Sequence, residues 1–455
     1  MDRRFTMRRS RLSQLPELLA VDARRLLIRI PPETDIPLTP RICELIDTGD
    51  FRRLAGISQL GLVAHVYPAA SHSRFEHSLG VYRMALAYLQ RLMHDERFRQ
   101  LIDQRQALRF LVAALLHDLG HWPFCHPIED LGLAETPDHE LFANSFVLEG
   151  EIADILRDRF ELAPREIVSL LSEKPQDIPS RLLGSMLSGP IDVDKMDYLA
   201  RDSLHAGVPY GRNFDQQRLI GGLCLNEAGD GLAINEKGRT AAEMMVFARY
   251  VMFSEVYWHH AVRSATAMMQ RAYYLLRPSL DLDTLFRLHE SGFIDTLLDA
   301  AAGTPAEPLV DGLFGRTRRL YKRLLQLSVF QRSDLYDRLA RRPYPWLVAC
   351  GERLAERLSR RAGRRIAADE LLIDAPPQRR EVEFRVDVHF PKEAVYRPLA
   401  EFSPVVRTLA TRQFDDYVKR VRLYCDPSLK DRFAGAEDAL CDDLLAAAEE
   451  TDRGP

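Results

Sequence analysis

Cysteine is scarce in this chain, and no two cysteines stand at a metal-binding spacing. The 455 residues contain six cysteines, which lie far apart and form no CxxC pair. Such a distribution predicts reduced thiols in a cytoplasmic protein and argues against a zinc ribbon. The sequence therefore points away from both a disulfide scaffold and a structural zinc module.

Long apolar runs are also missing from the sequence. No segment approaches the roughly 18 uncharged apolar residues that a membrane helix needs. The arginine-rich start "MDRRFTMRRSRLSQLPELL" has neither the apolar region nor the cleavage site of a signal peptide. We therefore expect a soluble, intracellular protein without a membrane-spanning segment.

Charge of one sign is not in excess either. The formal net charge is -4, with 46% hydrophobic and 28% charged residues, which is the composition of an ordinary globular protein. Basic stretches such as "RTRRLYKR" and "RLSRRAGRR" are interpreted as solvated helix faces. Nucleic-acid binding is possible but not indicated, and a phosphate site would have to be a local pocket.

Helical periodicity dominates the sequence from Pro40 to about Leu275. Before it, "RLLIRIPPETDIPLTP" predicts one short strand followed by a turn-rich connection, since prolines interrupt any helix. Within it, "LCLNEAGDGLAINEKG" predicts a small two-stranded hairpin insert around 228–231.

Beyond Pro278 the sequence predicts a second lobe. Helical patterns continue through "LDTLFRLHESGFIDTLLDAA" and "GRTRRLYKRLLQL", whereas "VEFRVDVHF" and "RVRLYCDP" predict strands. A chain of this length exceeds what one hydrophobic core usually serves. We therefore expect a mainly α fold with an N-terminal segment 1–39, a core 40–277 and a helical C-terminal lobe 278–455 that contains a few strands.

Histidines are crowded in one part of the chain. Eight of the thirteen fall between positions 65 and 139. A single histidine is more often a surface or satisfied core residue than a ligand, so the argument rests on the group. Its members are His65, His72, His77, His94, His117, His121, His126 and His139.

The adjacent pair His117 and Asp118 ends an apolar helix that Gly120 can terminate. Imidazole and carboxylate together suit Mn, Fe, Co, Ni or Zn, and two ligands from one helix need completion from elsewhere. His77, one turn into a predicted helix, and Asp194, at the start of another, are the candidates. Two histidines and two aspartates leave coordination positions open, which is typical of a catalytic site.

Three sequence blocks carry a resemblance to a known family. "SHSRFEHSLGVYR", "LLHDLGHWPFCH" and "IDVDKMDYLARDSLHAGV" resemble the H…HD…D signature of HD-domain phosphohydrolases. They are most similar to the deoxynucleoside triphosphate triphosphohydrolases, in the branch that contains the sterile-alpha-motif and HD-domain dNTPase and its bacterial relatives. The resemblance covers roughly residues 40–275. It implies a helical HD fold, hydrolysis of dNTPs to deoxynucleoside and intact triphosphate, and a homo-oligomer, either a dimer or a tetramer.

The resemblance places the metal ligands on the same four residues and adds an acid–base group. In that group His126 would protonate the leaving 5′ oxygen, supported by Glu129 and His139, while His121 lies near the triphosphate. Water acidified by the cation would be the nucleophile, with Mg accompanying the triphosphate. The implied substrate contacts are phosphate cations at Arg74, Lys195 and Arg249, 3′-hydroxyl contacts at Gln59 and Asp202, a wall against a 2′ hydroxyl at Leu60 and Tyr257, and Tyr198 in the same pocket.

Some of these residues also have plain structural interpretations. Without the resemblance, Tyr257 could simply pack in the core, and Arg249 and Asp202 could be charged residues on helix surfaces. Two broader alternatives also stay open. One is an HD phosphohydrolase acting on monophosphates, alarmones or another phosphoester, and the other is a catalytically silent nucleotide or nucleic-acid sensor.

The sequence departs from the vertebrate pattern at two positions. Phe253 replaces a phosphate-contacting histidine, so triphosphate contacts should be rearranged. Ala55 replaces an arginine that recognises an activating guanine nucleotide, although Asp47 is retained. We therefore do not expect activation by GTP in the same manner. The stretch of about 40 residues before the core is too short for a sterile-alpha-motif domain.

Overall fold

The computed structural model describes residues 11–32, 34–378, 385–410 and 418–454, and α-helix dominates them. The predicted mainly α class with small strand elements is thereby confirmed. The longer helices are α1 (Pro16–Ala23), α2 (Pro40–Ile46), α3 (Arg74–Leu92), α4 (Gln104–Leu116), α5 (Gly150–Phe160), α6 (Pro164–Leu171), α7 (Ile178–Leu187), α8 (Val193–His205), α9 (Gln216–Gly222), α10 (Arg239–Met252), α11 (His260–Leu276), α12 (Glu290–Ala301), α13 (Glu307–Phe314), α14 (Ser333–Leu339), α15 (Tyr344–Ala362), α16 (Pro404–Ala410) and α17 (Glu437–Asp452).

Shorter helical and extended elements connect them. The short α-helical segments are Gly49–Arg52, Glu96–Leu101, Cys125–Glu129, His139–Phe142, Asn144–Val147, Leu282–Leu285 and Leu399–Phe402. The strands are β1 (Leu27–Ile30), β2 (Thr34–Pro37), β3 (Leu223–Leu225), β4 (Leu232–Asn235), β5 (Lys322–Leu327), β6 (Leu371–Asp374), β7 (Asp387–Phe390), β8 (Val395–Pro398) and β9 (Val421–Cys425).

Helices α3, α4 and α8 pack together and start at side-chain caps that the sequence supplies. Ser73 accepts a hydrogen bond from the backbone N–H of Glu76 at the start of α3, and Asp103 forms a capping box with Gln106 at the start of α4. From Phe110 to Leu116, α4 is apolar and buried. It therefore anchors the loop that follows it.

The strands form three small sheets. The predicted hairpin is confirmed by the antiparallel pair β3 and β4, but it is part of a four-stranded sheet in the order β3-β4-β7-β8. The predicted turn-rich connection after β1 is wrong in part, because β2 pairs with β1 antiparallel over four positions. Prolines at edges or first positions of a short strand are compatible with such pairing.

The third sheet corrects another prediction. The segment "KRLLQL", expected to be helical, is strand β5, and it pairs antiparallel with β9, which β6 flanks on its other side. Its leucines are buried whereas Lys322, Arg323 and Gln326 are exposed. Pairing with β9 overrides the local helical preference, as tertiary context often does. The predicted strand in "RVRLYCDP" is confirmed as β9, and that in "VEFRVDVHF" as β7, although 381–384 lie outside the described residues.

Three hydrophobic clusters fill the interior. The first surrounds α3, α4 and α8 and includes Leu111 and Met196. The second joins the loop after α4 to α11 and α12, so that Trp122 shares it with Phe293. The third lies between α15, α17 and the sheet of β5, β9 and β6, and includes Leu354. Because Trp122 lies four residues after Asp118, α11 and α12 pack directly against the loop that follows α4, which we call the HD loop.

Strand β9 holds the junction between α10 and α11. A π-helical turn, Phe253–Tyr257, follows α10 and leads to α11. Arg422 donates from Nη2 to the carbonyl of Trp258 over 3.0 Å, and the Tyr424 hydroxyl donates to the carbonyl of His260 over 2.6 Å. Strand β9 therefore fixes the backbone immediately after Tyr257.

Within the described residues, no helix combines the length and the apolar character that crossing a bilayer requires. All six cysteines are free. The boundaries proposed for the N-terminal segment, the core and the C-terminal lobe stay a prediction.

Candidate active site

His77 is positioned by α3 and oriented by an aspartate from α8. Its Nδ1 lies 2.9 Å from Oδ2 of Asp197, so Nδ1 carries the donated proton and Nε2 faces the centre of the site. Burial alone lowers the pKa of His77, but hydrogen bonds to Asp194 and Asp197 raise it to about 10. A cation bound at Nε2 would replace the proton there.

His117 and Asp118 lie in the turn that follows α4. Nδ1 of His117 donates to the carbonyl of Ala114 over 3.0 Å, which leaves Nε2 to face Nε2 of His77 at 3.3 Å. Oδ1 of Asp118 lies 3.5 Å from the same His117 nitrogen. The two neighbours thus reach one point, as predicted from their place at a helix end.

Asp194 completes the group from the first turn of α8. The cap residue Asp192 accepts a hydrogen bond from the backbone N–H of Lys195 over 2.6 Å, which fixes the start of the helix. Oδ1 of Asp194 lies 3.1 Å from Nε2 of His77 and 3.8 Å from Nε2 of His117. All four residues predicted as metal ligands are therefore close together.

This donor set fits a divalent transition metal. Ligand atoms of His77, His117 and Asp118 lie within 4.8 Å of one another, and each histidine has its other ring nitrogen fixed by an oxygen acceptor, as metal-bound histidines usually do. Burial raises the pKa of Asp118, but His121, Arg74 and the two ligand histidines hold it well below its usual range. Asp118 is therefore a carboxylate at neutral pH. We call His77, His117, Asp118 and Asp194 the HD cluster.

The predicted acid–base group lies beside the HD cluster. Glu129 accepts two hydrogen bonds from His139, one from the backbone N–H at 2.8 Å and one from Nδ1 at 2.8 Å. Nδ1 of His126 lies 3.5 Å from the other Glu129 oxygen. The ring centroid of His121 is 4.0 Å from that of His139 and 5.1 Å from that of His126. The structure thus brings all four residues together.

Protonation differs within this group. Burial and Arg74 lower the pKa of His121 well below its ordinary value, so its imidazole is neutral. Burial also lowers the pKa of His139, but hydrogen bonding to Glu129 outweighs burial and raises it. The His126 side chain is 61% exposed, so it can exchange protons with solvent while the other members hold fixed positions.

Gly120 serves this group in a way that the sequence did not predict. It does not end α4 through a left-handed conformation, because its φ is not positive and α4 already ends at Leu116. A Cβ at position 120 would instead lie 2.1 Å from the carbonyl oxygen of His139. The missing side chain therefore allows the His139 segment to pack against the HD loop.

Asp202 and Tyr257 form a part-buried hydrogen-bonded pair where the sugar pocket is expected. The Tyr257 hydroxyl donates to Oδ2 of Asp202 over 2.6 Å, and Nε2 of His72 lies 2.9 Å from Oδ1. Asp202 is 2% and Arg249 6% exposed. The interpretation of Asp202 and Arg249 as surface charges is therefore wrong.

Lys195, Tyr198 and Arg249 gather next to Asp194. Nζ of Lys195 donates to Oδ2 of Asp192 over 2.6 Å. Burial raises the pKa of Tyr198 to about 12, against the opposing effect of the nearby cations Arg249 and Lys195. The guanidinium of Arg249 lies 5.2 Å from the ring centroid of Phe253, the residue that departs from the vertebrate pattern.

A backbone pairing joins the segment that contains Gln59 and Leu60 to the segment that leads into Arg74. The N–H of Gln59 donates to the carbonyl of His72 over 2.8 Å, and the N–H of Arg74 donates to the carbonyl of Ile57 over 2.9 Å. Nη1 of Arg74 donates to Asp118 over 2.8 Å. Leu60 packs against the first hydrophobic cluster, as do Tyr198 and Tyr257.

The sequence did not identify the residues that orient the site from behind. Nε of Arg201 donates to Asp197 over 2.7 Å and Nη1 donates to Glu76 over 2.6 Å. Nε2 of His205 lies 3.0 Å from the same Glu76 oxygen. Asp197, Arg201 and His205 are spaced four residues apart, and this i, i+4 spacing is the sequence signal that could have revealed them.

These orienting residues connect the HD cluster to the pair of Asp202 and Tyr257. His205 stacks on His72 with ring centroids 4.3 Å apart, and His72 contacts Asp202. A chain of hydrogen bonds and one ring stack therefore runs from the ligand His77 to Asp202 between α3 and α8.

The fold and this site define an HD-type helical protein. The model of the HD domain matches residues 74–202, and that of the HD-associated region matches residues 214–446, half of the chain. The chain belongs to the family of HD-domain proteins that carry the HD-associated region.

Known proteins share sequence or fold with this chain. An uncharacterized protein of Methanocaldococcus jannaschii is 33% identical over 313 residues, which are 68% of this chain and 61% of that protein. A deoxynucleoside triphosphate triphosphohydrolase of Gallus gallus is 34% identical over 255 residues, 49% of this chain and 40% of that protein. The chain thus spans less than two thirds of either relative. The crystal structure of a hypothetical protein from Aquifex aeolicus superposes with a TM-score of 0.68 and 27% identity, over 90% of this chain and 98% of that one.

Proposed function

We propose that this protein is a metal-dependent phosphohydrolase that converts dNTPs to deoxynucleoside and inorganic triphosphate. The observation that carries the proposal is the alignment of Asp194, Tyr198 and Asp202 on α8. These residues are spaced four apart and so share one helix face. They extend on the order of 12 Å from the HD cluster to the sugar pocket, the length scale of a nucleotide. Similarity to the Gallus gallus enzyme supports the choice of dNTPs.

The HD cluster would hold the reacting phosphate through a divalent ion. His77, His117, Asp118 and Asp194 are the proposed ligands of Mn, Fe, Co, Ni or Zn. Such an ion polarises the phosphoryl group and acidifies the attacking water. Asp197 and the carbonyl of Ala114 keep the two Nε2 atoms pointed inward.

His126 is the proposed general acid for the leaving 5′ oxygen. Its imidazole is exposed, so solvent can return the proton that it gives to the leaving group. Glu129 holds His139 and approaches Nδ1 of His126, so it orients both rings and stabilises a positive charge on them. His121, neutral and buried, would contact the triphosphate as a hydrogen-bonding group rather than as a cation.

Unpaired polar atoms in the pocket support a polar ligand. Among the residues that the structure describes, neither Oε1 of Gln59 nor Nε of Arg74 has a hydrogen-bond partner, although both atoms are buried. An unpaired buried group costs about 1–3 kcal/mol. A sugar hydroxyl at Gln59 and a phosphate oxygen at Arg74 would remove that cost. Lys195 and Arg249 supply further positive charge, and Leu60 and Tyr257 form the proposed wall against a 2′ hydroxyl.

The test is incubation of the purified protein with each dNTP and the matching NTP, with Mg or Mn, followed by chromatography of the products. We expect deoxynucleoside and intact triphosphate from dNTPs, with less product from NTPs. Asp118→Asn should abolish both products. Asp295→Asn is the matched control, because Asp295 is exposed on α12 and its loss leaves the HD cluster intact.

Other products would redirect the assignment. Release of orthophosphate or pyrophosphate, or hydrolysis only of monophosphates or alarmones, would replace dNTP triphosphohydrolysis by another HD phosphohydrolase activity. Nucleotide binding without any product, with dGTP and GTP added as activators, would leave a nucleotide sensor. Assembly into a dimer or tetramer of the 52.1 kDa chain and a cytoplasmic location stay predictions, and sedimentation analysis checks the first.

A further inference from the structure

A second group of metal-binding side chains lies outside the HD cluster. His121, Cys125, His126 and His139 each offer one ligand atom, and these four atoms lie within 4.8 Å of one another. We call this group the Cys125 cluster. It shares no residue with His77, His117 and Asp118, which form a separate group.

The donor types in the Cys125 cluster are those of a zinc site. Three imidazoles and one cysteine sulfur, which would lose its proton on binding the metal, make a four-coordinate set for which Zn²⁺ is well suited, whereas Mg²⁺ prefers oxygen. Glu129 already holds Nδ1 of His139 at 2.8 Å. Such a carboxylate contact commonly fixes the free nitrogen of a histidine for a metal.

The backbone before Cys125 is arranged to present this side chain. Phe124 has φ 57 and ψ 32, a left-handed conformation that is uncommon for a residue with a side chain. It precedes the short helix Cys125–Glu129, which carries two members of the cluster and their carboxylate partner. Cys125 is 1% exposed, so its sulfur faces the histidines rather than solvent.

We propose that the Cys125 cluster is a second cation site, selective for Zn²⁺ or a similarly soft divalent ion, and that its occupancy inhibits turnover. Ligation at this site engages the imidazoles of His126 and His139, which can then neither donate nor accept a proton. The inhibitory part rests on the proposed function, in which these histidines serve proton transfer. The binding part depends only on the four side chains.

Metal binding is tested first, without reference to activity. Metal-free protein is titrated with Zn²⁺ and bound zinc is counted after gel filtration; a parallel titration uses Co²⁺, whose thiolate complexes absorb in the near ultraviolet. We expect two zinc ions per chain and a thiolate–cobalt band. Cys125→Ser should lose one zinc and the band, whereas Cys224→Ser, a control cysteine in β3, should keep both. His126→Asn, at an exposed side chain that the core does not need, should also lose one zinc and weaken the band.

Either of two results would overturn the second site: one zinc per chain in the unaltered protein, or an unchanged zinc count and cobalt band in both Cys125→Ser and His126→Asn. Inhibition is then measured with Mn²⁺ in excess to occupy the HD cluster. We expect micromolar-to-submillimolar additions of zinc to suppress dNTP hydrolysis. The zinc concentration for half inhibition should rise at least about tenfold in Cys125→Ser, each variant being compared with its own zinc-free rate.

The two proposals can fail separately. If no nucleotide is hydrolysed by the unaltered protein, the proposed function fails while zinc counting still decides the site. If a second zinc binds through Cys125 and hydrolysis continues at full rate, the inhibitory part is wrong.

Discussion

Nδ1 of His77 lies 2.9 Å from Oδ2 of Asp197, and this contact sets the direction of a proposed metal ligand from outside the metal site. Asp197 is itself held by two hydrogen bonds from Arg201. Gly80, one turn after His77, makes room for the pair, because a Cβ there would lie 2.0 Å from Oδ1 of Asp197. Helix α3 thus supplies both the ligand and the space for its orienting partner.

Replacing Asp197 by asparagine should weaken metal binding. Asparagine keeps the shape but loses the negative charge that favours a proton on Nδ1 and a lone pair on Nε2. Loss of such a partner typically costs tenfold to about a hundredfold in metal affinity. Competition with a chelator measures it. Asp202→Asn, also buried on α8 but turned toward His72 and Tyr257, should retain the metal affinity, and equal affinities in all three proteins would contradict this role for Asp197.

Tyr257→Phe should impair substrate use without altering metal content. The hydroxyl donates to a carboxylate over 2.6 Å, and a hydrogen bond to a charged group contributes about 1.5–3 kcal/mol. Since His72 still holds Asp202, we expect a loss near the lower limit, about tenfold in kcat/KM for dNTPs. Steady-state kinetics with matched metal analysis checks it. Tyr67→Phe, which removes a hydroxyl bonded to the carbonyl of Glu255, is the control, and an equal effect of both changes would refute the assignment.

Arg263→Met should destabilise the fold. Arg263 donates to the fully buried Asp374 from α11 across to β6, with a shortest distance of 2.5 Å. Removing one partner of a buried pair costs about 3–5 kcal/mol, and Arg422, 3.9 Å from Asp374, places the expected loss near 3 kcal/mol. Urea unfolding measures the free energy. Arg105→Met, which breaks a pair with Glu166 at a half-exposed arginine, should cost less than about 1 kcal/mol.

Glu129→Gln should change how stability depends on pH. Burial raises the pKa of Glu129, but hydrogen bonds to His126 and His139 hold it below its ordinary value of 4.5. The stabilisation of the folded state by ionised Glu129 is fully present above pH 4.5 and is lost as pH falls through the lowered pKa. The pKa of His139 is raised above its ordinary 6.5. The stabilisation of the folded state by protonated His139 is therefore present below pH 6.5 and is lost as pH rises through the raised pKa.

Both stabilising contributions are fully present between the ordinary pKa of Glu129, 4.5, and the ordinary pKa of His139, 6.5. The stability difference between the unaltered protein and Glu129→Gln should therefore be largest from about pH 4.5 to about pH 6.5 and should shrink at higher pH. Urea unfolding of chelator-treated protein across this range measures it. A difference that grows steadily toward alkaline pH would mean that the Glu129–His139 pair does not stabilise the fold as an ion pair.

The sequence was informative where structure depends on near neighbours. The apolar period of α4 and the placement of His77, His117, Asp118 and Asp194 near helix ends follow from local patterns. The hairpin at β3 and β4 is similarly local. The addition of β7 to this hairpin is not local, because the parallel pairing of β4 with β7 joins residues more than 150 positions apart.

Long-range contacts explain what the sequence did not reveal. Lys322–Leu327 becomes a strand because β9 offers a partner. Gly120 and Gly80 are needed because other segments approach them closely, and nothing in their neighbours along the chain indicates this. Asp197 and Arg201 stand in the motif itself, yet only the folding of α8 against α3 shows that they orient a ligand.

The hydrogen bonds from β9 to the backbone after Tyr257 link two distant stretches of the chain at the candidate site. The HD domain contains the proposed metal ligands, whereas Tyr257, one of the two residues of the proposed wall against a 2′ hydroxyl, belongs to the HD-associated region, where Arg422 and Tyr424 hold the backbone that follows it. Damage near the far end of the chain should therefore appear as loss of fidelity toward substrate before it appears as loss of metal. If the proposed function holds, β9 therefore affects substrate selection although it lies far along the chain from the proposed metal ligands.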